Sequence, residues 1–163
     1  MSAVRIRALS AADYATVSAV VDAWWGGRVV RQLLPRLFFE HFSDTSFALE
    51  HGAELQGFLI GFRSQSVPAL AYIHFVGVAP ASRGNGGGRL LYQRFFERAA
   101  ALGCSAVQCI TAPVNTGSIA FHRRMGFDLV DTGAYRDGVP VSLDHAGPGE
   151  HRVLFRKTLV AGT

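Results

Sequence analysis

From Val4 to Leu9 apolar and basic residues alternate with the period of two that marks a half-buried strand. The period then lengthens. Tyr14, Val17, Val21 and Trp24 fall three or four apart, as one stripe of an amphipathic helix. That helix opens at Ser10-Ala-Ala-Asp13, which has capping-box spacing with Asp in place of Glu or Gln, and should stop at Gly26-Gly27. A second helical stretch is predicted from Leu33 to Phe42, where Pro35 is tolerable only near the first turn. Phe47 to Glu50 and Leu55 to Arg63 predict an antiparallel hairpin turning at His51-Gly52, and Leu70 to Val78 a central strand rich in aromatic and β-branched residues. From Gly86 to Leu102 the helical period returns, with Leu91, Phe95, Ala99 and Leu102 on one face and Gly103 as the stop. Cys104 to Thr111, Phe127 to Asp131 and Arg152 to Leu159 read as further strands, and a short helix runs from Asn115 to Gly126. Thr132 to His151, rich in Gly, Pro and Asp, is long for a hairpin connection and should carry a turn of structure or act as a lid.

The pattern contains no repeat, low-complexity tract or linker, so residues 1–163 read as one domain of a size that buries a single core. Charged residues make up 17% of the chain, a mixture too interrupted by charge for a membrane span to be expected. The N-terminal segment lacks the apolar stretch and cleavage site of a secretory signal, so a cytoplasmic protein is expected. Cys104 and Cys109, five apart, would face opposite ways on one strand, which argues against a disulfide or a shared metal site. The six histidines show no ligand-like pairing with Cys, Asp or Glu, and no metal is expected. Lys157 is the only lysine, so fifteen of the sixteen cationic side chains are arginines, and they are scattered. Scattering argues against a nucleic-acid stripe, while the net charge of +4 would still draw in a small polyanion.

The segment that carries chemistry is Phe75-Val-Gly-Val-Ala-Pro-Ala-Ser-Arg-Gly-Asn-Gly-Gly-Gly-Arg-Leu-Leu, a strand that runs through a glycine-rich turn into a helix. Such a turn aims backbone N–H groups at a phosphate from the positive end of the helix dipole. Two common phosphate readings fail. Gly88 is followed by Arg89 and Leu90, not by the Lys-Ser/Thr of a nucleotide-triphosphate loop. Counting G-x-G-x-x-G from Gly84 places Arg89 where the dinucleotide fingerprint needs its third glycine.

Arg83-Gly-Asn-Gly-Gly-Gly88 resembles the Arg/Gln-x-x-Gly-x-Gly/Ala loop of the GNAT superfamily of acetyl-CoA-dependent N-acetyltransferases, with Val78-Ala-Pro80 at the expected distance before it. A second match, Asn115-Thr-Gly-Ser-Ile-Ala-Phe-His-Arg-Arg-Met-Gly-Phe127, is similar to that family's Asn-x-x-Ala-x-x-Leu-Tyr-x-x-x-Gly-Phe helix. The resemblance covers nearly the whole chain. It implies an α/β (α+β) fold: a mixed, mostly antiparallel central sheet, splayed between its fourth and fifth strands and flanked by helices. Acetyl-CoA would be the co-substrate and a primary amine of a small molecule or peptide the acceptor, with no nucleic acid, membrane or metal involved and a homodimer left open. Val76, Gly77 and Val78 would offer backbone hydrogen bonds to the pantetheine arm, with Gly77 marking the bulge where the strands part. Arg83, Gly84, Asn85, Gly86, Gly87 and Gly88 would hold the pyrophosphate, and Asn115 would meet the pantetheine from the other side. His122 stands where many relatives carry a Tyr that protonates the departing thiolate. His74 is the candidate base, since in a regular strand it would share a face with Tyr72, Val76 and Val78. Trp24 to Arg28 and the 132–151 loop would border the acceptor, with Asp22, Asp137, Asp144 or Glu150 available to greet a cationic amine. The alternative reading is an acyl-CoA-binding or sensing module of the same fold without catalysis.

Overall fold

The computed structural model describes residues 3–160. Its strands are β1 (Val4–Ala8), β2 (Phe47–His51), β3 (Glu54–Arg63), β4 (Leu70–Val78), β5 (Ala106–Thr111), β6 (Asp128–Leu129), β7 (Tyr135–Arg136), β8 (Val139–Pro140) and β9 (Val153–Thr158). Its helices are α1 (Asp13–Trp24), α2 (Arg36–His41), α3 (Gly87–Ala101) and α4 (Thr116–Arg124). Seven strands form one sheet in the order β1-β2-β3-β4-β5-β9-β6, while β7 and β8 make a separate hairpin. Every neighbouring pair is antiparallel except β4 with β5.

Each face of the sheet has its own core. Leu91, Tyr92, Phe95 and Ala99 of α3 pack on Leu59, Ile73, Val107 and Phe155. On the other face Val17 and Val21 of α1 and Phe39 of α2 pack on Ala48, Phe58 and Ile60. The alternation of apolar residues in β2 and β3 feeds both layers, as expected of a sheet covered on two sides.

Local chemistry moves several predicted boundaries. The 33–42 stretch is not one helix: a 3-10 turn covers Arg31–Leu33, Leu34 leaves helical geometry at ψ 59°, and α2 starts after Pro35. The ring of Pro35 crowds the residue before it and forbids a helix running through. Cys104 is not in β5 either. Its N–H bonds Ala99 O at the exit of α3, and it shares one core cluster with Cys109, both thiols being free. The two cysteines therefore do not face opposite ways on one strand, since β5 begins only at Ala106.

The 132–151 segment is a folded structure. Asp137 and Gly138, with φ of 50° and 78°, make the two-residue turn that an antiparallel hairpin prefers. Val141 is fully buried, and Ser142 bridges Arg152. Asp144 Oδ1 accepts the Gly149 N–H at 2.8 Å and closes the last turn.

Candidate active site

The sheet opens between β4 and β5. The two strands pair only at Leu70–Ala106, Ala71–Val107 and Tyr72–Gln108, so β4 from Ile73 onward has no strand partner on that side. The ladder to β3 shows which groups the open edge presents. Ala79 N donates to Gln56 O at 2.8 Å, and antiparallel pairs alternate between bonded and unbonded. Gly77 therefore bonds to β3, while the amides of Val76 and Val78 point into the gap.

The strand also changes phase just past the opening. Ile60 pairs with Phe75 and Gly61 with Ile73, which leaves His74 as the extra residue of a β-bulge. Ala71 and Ile73 face the α3 core before the bulge, Val76 and Val78 face it after, and Phe75 turns to the α1 side. His74 thus does not share a face with Val76 and Val78, because one inserted residue reverses the period of two. Nor does Gly77 mark the bulge. It pairs regularly with Phe58, and a side chain there would collide with the Phe58 ring at 2.7 Å and with Trp25 at 3.2 Å. The missing Cβ makes room for the aromatic packing beneath α1.

The His74 ring lies on Phe38 of α2, stacked at 4.4 Å, and its Nε2 is 2.6 Å from Leu33 O. A carbonyl only accepts, so Nε2 carries the hydrogen and Nδ1 keeps the lone pair. Around it Phe38 meets Phe42 at 5.1 Å and Phe75 meets Trp25 at 4.9 Å, an aromatic lining. Asp22 does not contribute a free charge. Its Oδ1 accepts the N–H groups of Val30 at 2.7 Å and Arg31 at 2.9 Å, which lowers its pKa and holds the α1–α2 connection. Glu150 is paired with Arg152, and Asp137 sits at the hairpin tip.

At the far end of β4 the glycine loop turns into α3. Gly84 and Gly86 have φ of 84° and 82°, which an L side chain resists, and Gly86 caps α3 without a side-chain hydrogen bond. The N–H groups of Gly87, Gly88 and Arg89 precede the first helical bond, Leu90 N to Gly86 O, and no acidic residue occupies that first turn. A methyl group at Gly88 would touch Phe121 of α4 at 3.5 Å and Val78 at 3.9 Å. Bare backbone therefore lines the place where β4, α3 and α4 converge, and an extended chain ending in a diphosphate fits this combination of open strand edge and unbonded amides. Asn115 Oδ1 caps α4 by accepting the Ser118 N–H at 3.1 Å, which leaves its amide nitrogen to meet a ligand.

Arg83 is engaged differently. Its Nε donates to Val78 O at 3.1 Å and its Nη2 to Trp24 O at 2.6 Å. The side chain occupies one carbonyl of the open edge and leaves the Val76 amide and the Val78 N–H.

His122 is only 7% exposed, stacked on Phe155 at 4.5 Å. Its Nδ1 lies 2.7 Å from Ser118 O and its Nε2 2.8 Å from the Tyr92 hydroxyl. The carbonyl requires Nδ1–H, so Tyr92 donates to Nε2. Burial pushes the His122 pKa below its ordinary value, partly offset by the Ser118 bond. The structure therefore holds the two histidines apart, His74 on the α1–α2 side and His122 in the α3–α4 core.

The sequence profile of the acetyltransferase (GNAT) family matches residues 15–127. The chain belongs to the acetyltransferase (GNAT) family. It is 31% identical over 107 residues to the L-2,4-diaminobutyric acid acetyltransferase of Nocardia farcinica, an alignment that covers 63% of this chain and 55% of that protein. It is 32% identical over 104 residues to the mycothiol acetyltransferase of Pseudarthrobacter chlorophenolicus, covering 61% of this chain and 32% of that one. The chain spans about half or less of the length of these curated relatives. Among solved structures, diaminobutyrate acetyltransferase EctA from Paenibacillus lautus superposes with a TM-score of 0.73 at 19% identity, covering 100% of this chain and 99% of that one. Ard1 from Thermoplasma volcanium gives 0.74 at 18%, covering 97% and 99%. These structural likenesses establish the GNAT fold.

Among the described residues no helix is long and apolar enough to cross a membrane, and no cluster of three metal-ligating side chains occurs. Residue patterns did not point to Tyr92, Phe38, Leu33 O or the bulge. Tyr92 lies on the helical stripe between Leu91 and Phe95 and could have been flagged as a buried hydroxyl in need of a partner. The other three depend on strand pairing and on contacts across the sheet.

Proposed function

We propose that residues 1–163 form one cytoplasmic acetyltransferase domain that moves the acetyl group of acetyl-CoA onto a primary amine held against the aromatic lining around His74. The observation that carries this reading is the bulge at His74, two residues beyond the last β4–β5 pair. It supports an imidazole whose Nε2–H is tied to Leu33 O and whose Nδ1 accepts a proton from the amine, directly or through water. Acetyl-CoA supplies the acyl group as a thioester, from which the amine displaces the thiol. The Val76 N–H, on the open edge, is the donor for charge developing on the acyl oxygen, an interaction worth roughly 3 kcal/mol to such a barrier. A coenzyme A thiol has a pKa on the order of 8.5, so the departing thiolate needs little help and regains a proton from water or from the His74 imidazolium. The proton of His122 is held by Ser118 O, and this side chain acts in the pathway through its packing. The two buried, free thiols suit a reducing compartment.

With Asp22 committed to the backbone, the lining favours an amine on a flat apolar body over the compact diaminobutyrate named for two relatives. The test is thiol release from acetyl-CoA with an amine panel that includes aryl-ethylamines and 2,4-diaminobutyrate. Aryl amines should show the higher kcat/KM. His74→Gln should lower kcat by roughly 100-fold or more with acetyl-CoA affinity unchanged. An unaltered kcat would reject the base. The second reading, acyl-CoA binding without turnover, draws support from the internal commitment of both His122 nitrogens, and calorimetric binding with no thiol release for any amine would select it.

A further inference from the structure

Arg83 is bonded to two neutral carbonyls, Val78 O at 3.1 Å and Trp24 O at 2.6 Å, and among the described residues it has no carboxylate partner. The two carbonyls belong to different parts of the molecule. Val78 ends the strand that runs into the glycine loop, and Trp24 is the last residue of α1. The carbonyls of Val21, Asp22 and Ala23 are satisfied locally by the N–H groups of Trp25, Gly26 and Gly27, whereas Trp24 O is reached by Arg83. A cation at a helix C-terminus is favoured by the helix dipole, and the bond lies where the chain must leave α1 for the acceptor side.

What this contact holds is the aromatic floor next to His74. Trp25 follows Trp24, lies on Phe75 at 4.9 Å, and fills the space left by Gly77. We infer that Arg83 is a positioning residue that clamps the end of α1 onto the glycine loop, so that the donor loop and the acceptor floor move as one body. The inference rests on the acetyltransferase reading for its kinetic consequence and on the hydrogen bonds alone for its physical one. Loss of the clamp lets Trp25 lift from Phe75, which weakens the hold on the amine while the backbone N–H groups that face the diphosphate stay in place.

The chain's only two tryptophans are Trp24 and Trp25, so intrinsic fluorescence reports this junction directly. In the full-length Arg83→Ala protein acrylamide should quench the tryptophans about twofold more strongly than in the native protein, and Arg83→Lys, which can still reach one carbonyl, should fall between. Coenzyme A affinity by calorimetry should change by less than about threefold. The KM for the best amine should rise about tenfold with kcat and the acetyl-CoA KM nearly unchanged, as expected when a charge-assisted bond that shapes one subsite is lost. The opposite pattern, unchanged quenching with about tenfold or greater loss of coenzyme A affinity, would make Arg83 a direct diphosphate ligand and overturn the clamp. If the native protein turns over no amine, the catalytic reading fails, and the quenching comparison still decides the clamp.

Discussion

A neutral imidazole has one hydrogen and one lone pair, and His122 uses both inside the protein, giving its hydrogen to Ser118 O and taking one from Tyr92. Protonation would turn Nε2 into a donor facing a hydroxyl in a fully packed site, and burial lowers the folded-state pKa accordingly. The unfolded chain binds the proton near pH 6.5, so below that pH it holds more protons than the native state, and stability must fall as pH falls until the native pKa is reached. Urea midpoints should therefore decline between about pH 7 and pH 5. His122→Leu should remove that part of the slope whatever it does to stability at pH 7.5, and an unchanged slope would show that His122 titrates normally. The carboxylate of Asp13 acts in the same direction, in a more acidic window and for a different reason. Burial raises its pKa, but two bonds from Arg7 and the Ser10 N–H outweigh burial, and the net shift is downward. Its contribution is complete above about pH 4 and is lost only in stronger acid.

At the scale of elements, the strand β4 is shaped by what stands opposite its bulge. Gly61 pairs with Ile73, and a Cβ at Gly61 would lie 2.3 Å from the buried ring of Phe95 and 2.9 Å from Tyr72 O. Its own N–H is accepted by Ser46 Oγ at 3.2 Å, and its carbonyl accepts from Thr45 Oγ1 at 2.5 Å. Neither α3 nor β4 can retreat without disturbing the bulge. Gly61→Ala should cost about 1–3 kcal/mol in urea unfolding and should lower turnover beyond the loss of folded protein, because His74 is carried with the bulge. Wild-type turnover per folded molecule in this variant would separate the bulge from catalysis. The boundaries of β4 and α3 are legible from residue patterns, since both elements are long and periodic. The bulge is not, because it is a relation between Ile60-Gly61 and Ile73-His74-Phe75 that exists only once the strands pair.

Over the whole molecule, acetyl-CoA should act as a tie between the two halves of the sheet that part after Tyr72. At a hundredfold excess over its dissociation constant it should add roughly 2.7 kcal/mol, a rise in Tm on the order of 5–10 °C for a chain of this size. Gly86→Glu should abolish this rise by placing a carboxylate where the proposed site would hold the diphosphate; nothing within 4 Å would clash, and the φ of 82° is the only strain the side chain meets. A full thermal shift in that variant would remove the loop from the binding site. The sequence by itself determined the long strands and helices, the strand-to-helix glycine turn and, through two motifs, the family and its mixed central sheet, because period, turn residues and motif spacing are local properties of the chain. Only the tertiary structure decided which way His74 faces, that His122 is committed to Tyr92 and Ser118, and that Arg83 reaches the end of α1. Each of these rests on partners 30 to 59 residues away, or on a backbone carbonyl, and neither leaves a trace in the pattern of side chains.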